Sequence, residues 1–446
     1  MSQNSTSLAP QEQHTKQILN VLATPLALPC GTVIPNRLGK SAMTEGLADP
    51  HGRPTHEHIQ LYKTWAEGGT GLLITGNIMV DKRYLERAGN VVLEDNSSIE
   101  LLKRWASAGK SSGNKHWVQL NHPGRQCPKL VNKQPLSPSD IQLDMLGNFG
   151  KPRAMTQADI DDVIQRFARS AAITKEAGFS GVQIHCAHGY LLSQFLSPKI
   201  NKRQDKYGGS LENRARIIRE LIAAVRLAVG KDFPIGVKLN SSDFQKGGFT
   251  LDECAQVASW LGQDGIDLLE ISGGTYEQLS LIGVEPTEVR ESTRKREAYF
   301  IEYAKRIKEA AKVPLMLTGG FRSRQVMENA ISSGEVDLIG LARPLCTQPY
   351  CSNDLVTQKI DKLDDHEHKL VLGKGFWGNN SSSNLIKGIN SFGQVGFYYW
   401  QIIRLAKELK PQPELGVFHS FLKHSFNDIR LNLRRKKTFK NNAQDK

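Results

Sequence analysis

Gly181-Val-Gln-Ile-His-Cys-Ala-His-Gly-Tyr190 is the stretch on which the reading of the fold turns. Its first five residues, 181–185, are a short apolar run of the kind that forms a strand buried on both faces of a parallel sheet. Chemically capable side chains crowd the end of that run. Working outward, seven further runs share its character: Leu38–Met43, Gly71–Asn77, His116–Asn121, Ile235–Leu239, Leu268–Ser272, Pro314–Thr318 and Leu338–Leu341. Amphipathic stretches separate them, and two carry explicit helix starts. Thr156-Gln-Ala-Asp159 and Thr250-Leu-Asp-Glu253 each place a hydroxyl at the N-cap and an acid three residues on. After the first, Ile160, Val163, Ile164, Phe167 and Ala171 recur at helical spacing and make one apolar stripe. Eight strands alternating with helices over roughly 320 residues predict an α/β chain: a (β/α)8 TIM barrel with an appended C-terminal, mainly helical segment. A doubly wound open sheet is the alternative; strand number favours the barrel.

The sequence divides accordingly into a polar, flexible N-terminus (1–17), the barrel (18–350) and a C-terminal extension (351–446) with an aromatic helix near 391–409 and a basic tail. The extension holds 16 basic and 9 acidic residues, so seven of the 13 net positive charges of the 446-residue chain lie there. The compact run is Arg434-Arg-Lys-Lys437. Charge gathered away from the strand ends argues against nucleic acid as the main partner. It leaves residues 391–446 as a surface for a membrane, another protein or a second copy of the chain. Six dispersed cysteines form no C-x-x-C pair, so neither a zinc site nor an iron–sulfur cluster is expected. No apolar run approaches the ~20 residues of a membrane span. Ser, Gln and Asn dominate up to Lys16 where a signal peptide would have an apolar core. The expected setting is a reducing cytoplasm.

In a barrel of this type chemistry gathers at the C-terminal ends of strands. Those ends carry Ala42, Met43 and Thr44; Asn77; Gln119; His185, His188 and Tyr190; Lys238; Ser272-Gly-Gly274; Gly319 and Gly320; and Gly340 with Arg343. Glycine turns on the last two strands, with a guanidinium beside them, suit a phosphate monoester. Two histidines three residues apart offer imidazole donors for one substrate oxygen, although a pair of structural histidines has the same spacing. Tyr190 offers an uncharged proton donor. A lysine ending a buried strand needs an anion, either a structural carboxylate or a cofactor that becomes anionic.

The run from Gly181 through Pro198, continued by Asn201-Lys-Arg203, Asp205, Tyr207-Gly-Gly-Ser210 and Glu212-Asn-Arg214, resembles the Old Yellow Enzyme family of FMN-dependent NAD(P)H oxidoreductases, as does Trp117-Val-Gln-Leu-Asn-His-Pro-Gly-Arg125. The resemblance spans about Leu26 to Pro349. It implies bound FMN and NADH or NADPH as hydride donor. It places Ala42, Met43 and Thr44 against the flavin, Gln119 at its pyrimidine edge, and Gly319, Gly320, Gly340 and Arg343 at its phosphate. Lys238 stands where many members have arginine, and Asn77 where a small residue is common. His185 and His188 match the pair that binds a substrate carbonyl, and Tyr190 the proton donor. The implied reaction is reduction of an α,β-unsaturated carbonyl by hydride from flavin N5. Alternatives are another oxidant or substrate (N-demethylation, nitro reduction, NADH oxidation) or a flavin-free phosphate-binding lyase or isomerase with Lys238 as Schiff base. A binding module tethered through 391–446 is a further class.

Overall fold

The structure is a computed structural model that describes residues 20–143, 147–243, 245–272 and 303–444. Eight strands close into a barrel in which every neighbouring pair is parallel. They are β1 Leu38–Lys40, β2 Leu72–Met79, β3 Lys115–Asn121, β4 Gly181–Cys186, β5 Ile235–Asn240, β6 Leu268–Ser272, β7 Leu315–Thr318 and β8 Leu338–Leu341, with β8 pairing back to β1. The (β/α)8 expectation is met. Sequence and structure differ by more than one residue at two strand ends. β1 stops at Lys40, so Ala42, Met43 and Thr44 lie on the loop that follows. β2 runs on to Met79, with a shift of register between Ile74 and Asn77 that re-aims the residues beyond it.

The helices named here are α1 His56–Glu67, α2 Ile99–Ala108, α3 Gln157–Glu176, α4 Leu211–Val229, α5 Leu251–Gln263 and α6 Arg324–Ser332 on the barrel, and α7 Asn384–Ala406 and α8 Val417–Gln444 in the extension. Both capping boxes read from sequence form: Thr156 Oγ1 accepts from Asp159 N, and Thr250 Oγ1 accepts from Glu253 N, each at 3.2 Å. The stripe of α3 (Ile160, Val163, Ile164, Phe167, Ala171) is buried. Each large apolar side chain so enclosed contributes roughly 1.5–3 kcal/mol.

The N-terminal end of the barrel is sealed. A short antiparallel hairpin, Leu26–Ala27 with Val33–Ile34, packs Leu26, Leu28 and Ile34 under Trp117, Leu72, Ile74, Leu268, Met316 and Leu338. Trp117 has no exposed surface, and side chains on Gly181 or Gly236 would collide with its indole. With that end filled, only the C-terminal mouth is left for chemistry.

In the extension, residues 407–416 double back along α7: Arg404 Nε donates to the Lys410 carbonyl at 2.6 Å and Gln401 Nε2 to the Gln412 carbonyl at 3.0 Å. α8 therefore starts beside Gly393 and runs alongside α7 in the same direction. A Cβ at Gly393 would meet Val417, and one at Gly396 would meet Ser420 and His424, so the glycines permit the close approach. The basic tail read from sequence is thus the second half of a 28-residue helix. The pair grips the loop after β2. Arg87 lies 4.0 Å over the Tyr399 ring and is ion-paired with Asp428, while Arg435 donates to the Lys82 carbonyl at 2.9 Å. Among the described residues no helix is long and apolar enough to cross a membrane.

Candidate active site at the C-terminal mouth of the barrel

Strand register sets the site. His185 on β4 lies level with Lys238 on β5, Lys238 with Glu270 on β6, and Gln119 on β3 with Gln183 on β4. The result is a buried polar chain across the barrel. Gln119 Nε2 donates to Gln183 Oε1 at 2.6 Å, and Gln183 Nε2 to Glu270 Oε2 at 2.7 Å. The other Glu270 oxygen takes Lys238 Nζ at 2.9 Å and Thr318 Oγ1 at 2.7 Å. Thr318 Oγ1 in turn shares a 2.7 Å bond with Ser41 Oγ. Lys238 and Glu270 are both enclosed, which an ion pair tolerates only when its remaining lone pairs are satisfied, as they are here. The structure thus supplies the carboxylate partner foreseen as one of two readings of Lys238. It is Glu270, which the sequence argument did not single out.

A second enclosed ammonium lies nearby. Lys40 Nζ donates to the Ile74 carbonyl at 2.7 Å and sits 4.7 Å over the Trp65 ring. Burial pulls its pKa down to about 8, with the Glu45 carboxylate opposing that fall.

The end of β4 and the loop after it carry the histidines, His185 on the strand and His188 on the loop. His188 has φ of 59° and Gly189 φ of 75°, two successive left-handed residues that turn the chain sharply; at His188 that conformation is strained. The Asn240 side chain holds the turn by accepting from His188 N at 3.0 Å, and Gln126 Nε2 donates to the His188 carbonyl at 3.0 Å. His185 Nδ1 accepts from Ala187 N at 3.3 Å, which assigns the proton of a neutral ring to Nε2. That Nε2 lies 3.2 Å from His188 Nδ1, and His188 Nε2 lies 2.9 Å from Ser272 Oγ. The bonds form one directional chain, His185 to His188 to Ser272. Burial first, then the partner imidazole and Lys238, hold His185 well below the ordinary histidine range; burial and Lys238 do the same to His188. Both rings are therefore uncharged donors near neutral pH. The Tyr190 ring stands edge-on to His185 at 4.8 Å and is buried. The structure brings all three residues into one cluster.

The loops after β1 and β2 meet over a carboxylate that the sequence argument missed. Glu86 Oε2 accepts from Thr44 Oγ1 at 2.9 Å and from Asn77 Nδ2 at 2.5 Å. Ala42 packs toward the Trp117 cluster, and Met43 Sδ is 3.6 Å from Cys346 Sγ. Of the Ser272-Gly-Gly274 turn only Ser272 belongs to the described residues.

At the ends of β7 and β8, Gly319 (φ 147°) and Gly320 (φ 70°) adopt conformations open to glycine. Gly340 is glycine for a different reason: a Cβ there would collide with Thr318 Oγ1 and Ser41 Oγ. Arg343 Nη1 and Arg322 Nη2 converge on one oxygen, Glu367 Oε1, at 3.2 and 2.8 Å. Burial opposes ionisation of Glu367, but the Asp365 hydrogen bond and the two guanidiniums together hold its carboxyl well below the usual range. Two cations aimed at one oxyanion beside the Gly319–Gly320 turn form a donor set that fits a phosphate. Buried Asn77 Oδ1, Asn240 Nδ2 and Ser241 Oγ, which lack partners among the described residues, are polar atoms that a planar heterocycle at this mouth would satisfy.

Comparison with known proteins gives a consistent answer. The sequence profile of the NADH:flavin oxidoreductase / NADH oxidase family matches residues 22–361. The NADH-dependent flavin oxidoreductase iliE of Hypocrea jecorina is 38% identical over 347 residues, 73% of this chain and 86% of that protein. Among solved structures, a 2-naphthoyl-CoA reductase in complex with 2-naphthoyl-CoA superposes with a TM-score of 0.71 at 26% identity, over 77% of this chain and 54% of that one. An old yellow enzyme homologue from Zymomonas mobilis superposes with a TM-score of 0.65 at 24% identity, over 77% and 94% of the two chains; at that identity the likeness is one of fold.

Proposed function

Because the chain belongs to the NADH:flavin oxidoreductase / NADH oxidase family, as an FMN- and nicotinamide-dependent oxidoreductase of the Old Yellow Enzyme type, we propose that it reduces activated alkenes conjugated to a carbonyl. When bound, FMN supplies the hydride relay between nicotinamide and acceptor. In this reading Arg343, Arg322 and the Gly319–Gly320 turn hold the phosphate, with Gly340 admitting the close packing of β8 beside them. Gln119, fixed by Gln183, meets the pyrimidine edge, and Ala42, Met43, Thr44 and Asn77 border the ring from the β1 and β2 loops. Lys238, clamped by Glu270, is a fixed cation beside which negative charge is stabilised.

The single observation that supports the substrate reading is the uncharged His185–His188 pair with Tyr190 against it. An oxygen reaching the pair would draw the His185 Nε2 proton from His188 and the His188 Nε2 proton from Ser272. Two neutral N–H donors then stabilise charge that builds on a carbonyl oxygen, without the repulsion that an imidazolium beside Lys238 would suffer. Tyr190, shielded from bulk water, hands a proton to the adjacent carbon. Nitro compounds and dioxygen are other acceptors of the same hydride, whereas an N-methylamine would be a donor that reduces the flavin in place of the nicotinamide. The flavin-free lyase reading loses its support: the Lys238 amine is bound in an ion pair with Glu270.

A phenol mimics the anionic oxygen. Titrating it into the flavin-loaded protein should perturb the visible spectrum, and His185→Ala with His188→Ala should weaken that binding by about 100-fold, as for two lost hydrogen bonds of ~1.5 kcal/mol each. Unchanged phenol affinity in the double variant would overturn the role assigned to the pair.

A further inference from the structure

We propose that the outer face of α8 docks the protein on the surface of an anionic lipid bilayer. Phe418, Leu422, Phe426, Ile429 and Leu433 follow one another at spacings of four, four, three and four, which puts them on one face of the helix. They are 46%, 47%, 79%, 60% and 62% exposed. The opposite face is the one in contact with the molecule: Ser420 is buried, His424 stacks on Tyr399 at 5.1 Å, Asp428 pairs with Arg87, and Arg435 reaches Lys82. The apolar stripe therefore points directly outward. An exposed stripe of this length is unusual on a soluble surface and marks a contact.

The charges select the occupant. Lys423, Arg430, Arg434 and Lys437 flank the stripe along one side, and Lys436 lies at its C-terminal end; all five are exposed. Between Val417 and Thr438 the one acidic residue is Asp428, which faces inward to Arg87. A second copy of the chain would bring like charge against like charge. Anionic headgroups complement the cations, while the aromatic and aliphatic side chains enter the headgroup–acyl boundary. The stripe also opens into a groove of about 800 Å³ between α8, the end of α7, the start of α1 and the loop after β1, where Trp400, Ile403 and Leu431 supply apolar walls and the cations Lys407, Lys423, Arg430 and Arg434 outnumber the carboxylates Asp49 and Glu57. That groove extends the same mixed surface beyond α8. This surface lies outside the barrel mouth, so its test is independent of the catalytic reading.

Flotation of the full-length, flavin-loaded protein should show binding to vesicles of phosphatidylcholine mixed with phosphatidylserine, falling steeply as salt rises, and little binding to phosphatidylcholine alone. Phe426→Glu with Ile429→Glu should cut the partition coefficient at least about tenfold, and Arg430→Gln with Lys437→Gln several-fold, with bound flavin unchanged in both because these side chains are exposed. Equal binding to neutral and anionic vesicles would overturn the selection by charge. No vesicle binding, or binding that the stripe variants leave intact, would overturn the proposal. So would concentration-dependent dimerisation lost in Phe426→Glu/Ile429→Glu without vesicle binding, which would give the face to a second copy.

Discussion

The barrel mouth and the α7–α8 pair handle charge in opposite ways. At the mouth Lys238 and Glu270 are sealed together, the imidazoles are neutral, and the described polar groups mostly answer one another across strands. On α8, Lys423, Arg430, Arg434, Lys436 and Lys437 stand exposed, with no carboxylate partner among the described residues. In the first region position is fixed by strand register, and a polar atom out of place costs several kcal/mol. In the second a charge is nearly free to stay or go, and its value lies in what it meets outside the molecule.

Breaking the buried pair is the largest perturbation this contrast foresees. Lys238→Met leaves the Glu270 carboxylate buried and uncompensated and should cost about 3–5 kcal/mol in urea unfolding. Lys238→Met with Glu270→Leu should recover most of that stability while weakening FMN retention. A single variant as stable as the parent would mean that water reaches the pair.

Acid sharpens the same contrast. Burial pulls His58 and His116 down to about 3, and His122 and His424 to about 4. The unfolded chain takes up protons near pH 6.5 and the folded one does not, so stability from these groups is complete above pH 6.5. It is lost as pH falls toward 4 and 3. The loss approaches about 3 kcal/mol per fully buried ring by pH 4. His116 sits among Tyr62, Trp105 and Phe179; His116→Phe should shift the acid-unfolding midpoint downward, and an unmoved midpoint would remove it from this account.

Smaller effects belong to the seam and then to the outside. Arg87→Ala removes the cation from Tyr399 and strands Asp428, and should lower stability by about 2 kcal/mol while raising hydrogen exchange in α8. Lys436→Gln with Lys437→Gln should fall within about 0.5 kcal/mol of the parent. A larger change would show that the outer charges carry structure as well.

Legibility in the sequence follows the same divide. Strands buried on both faces must be short and apolar, so the eight runs stood out, and both capping boxes were readable as spacings. His185, His188, Tyr190, Gln119 and Lys238 were legible because polar residues at strand ends break an apolar pattern. Glu270 breaks its strand in the same way within Leu268-Leu-Glu-Ile-Ser272, but its meaning depends on lying level with Lys238 across 32 residues of chain. Glu86 and Glu367 come from loops, where a carboxylate is ordinary and only the tertiary fold aims it. The end of β1 was overread because Ser41-Ala-Met43 remains apolar enough for a strand after pairing has ceased. In α8 the run of arginines and lysines masked a helical periodicity that appears only when Phe418 to Leu433 are taken together.

The most direct test of the central claim is an anaerobic titration of the FMN-loaded protein watched in the visible. NADH or NADPH should bleach the flavin bands, and cyclohexenone should restore them. Tyr190→Phe should bleach as the parent does and recover about 10²- to 10⁴-fold more slowly. Bands that bleach but stay bleached with the enone would contradict alkene reduction, and recovery at the parental rate in Tyr190→Phe would contradict the proton donor.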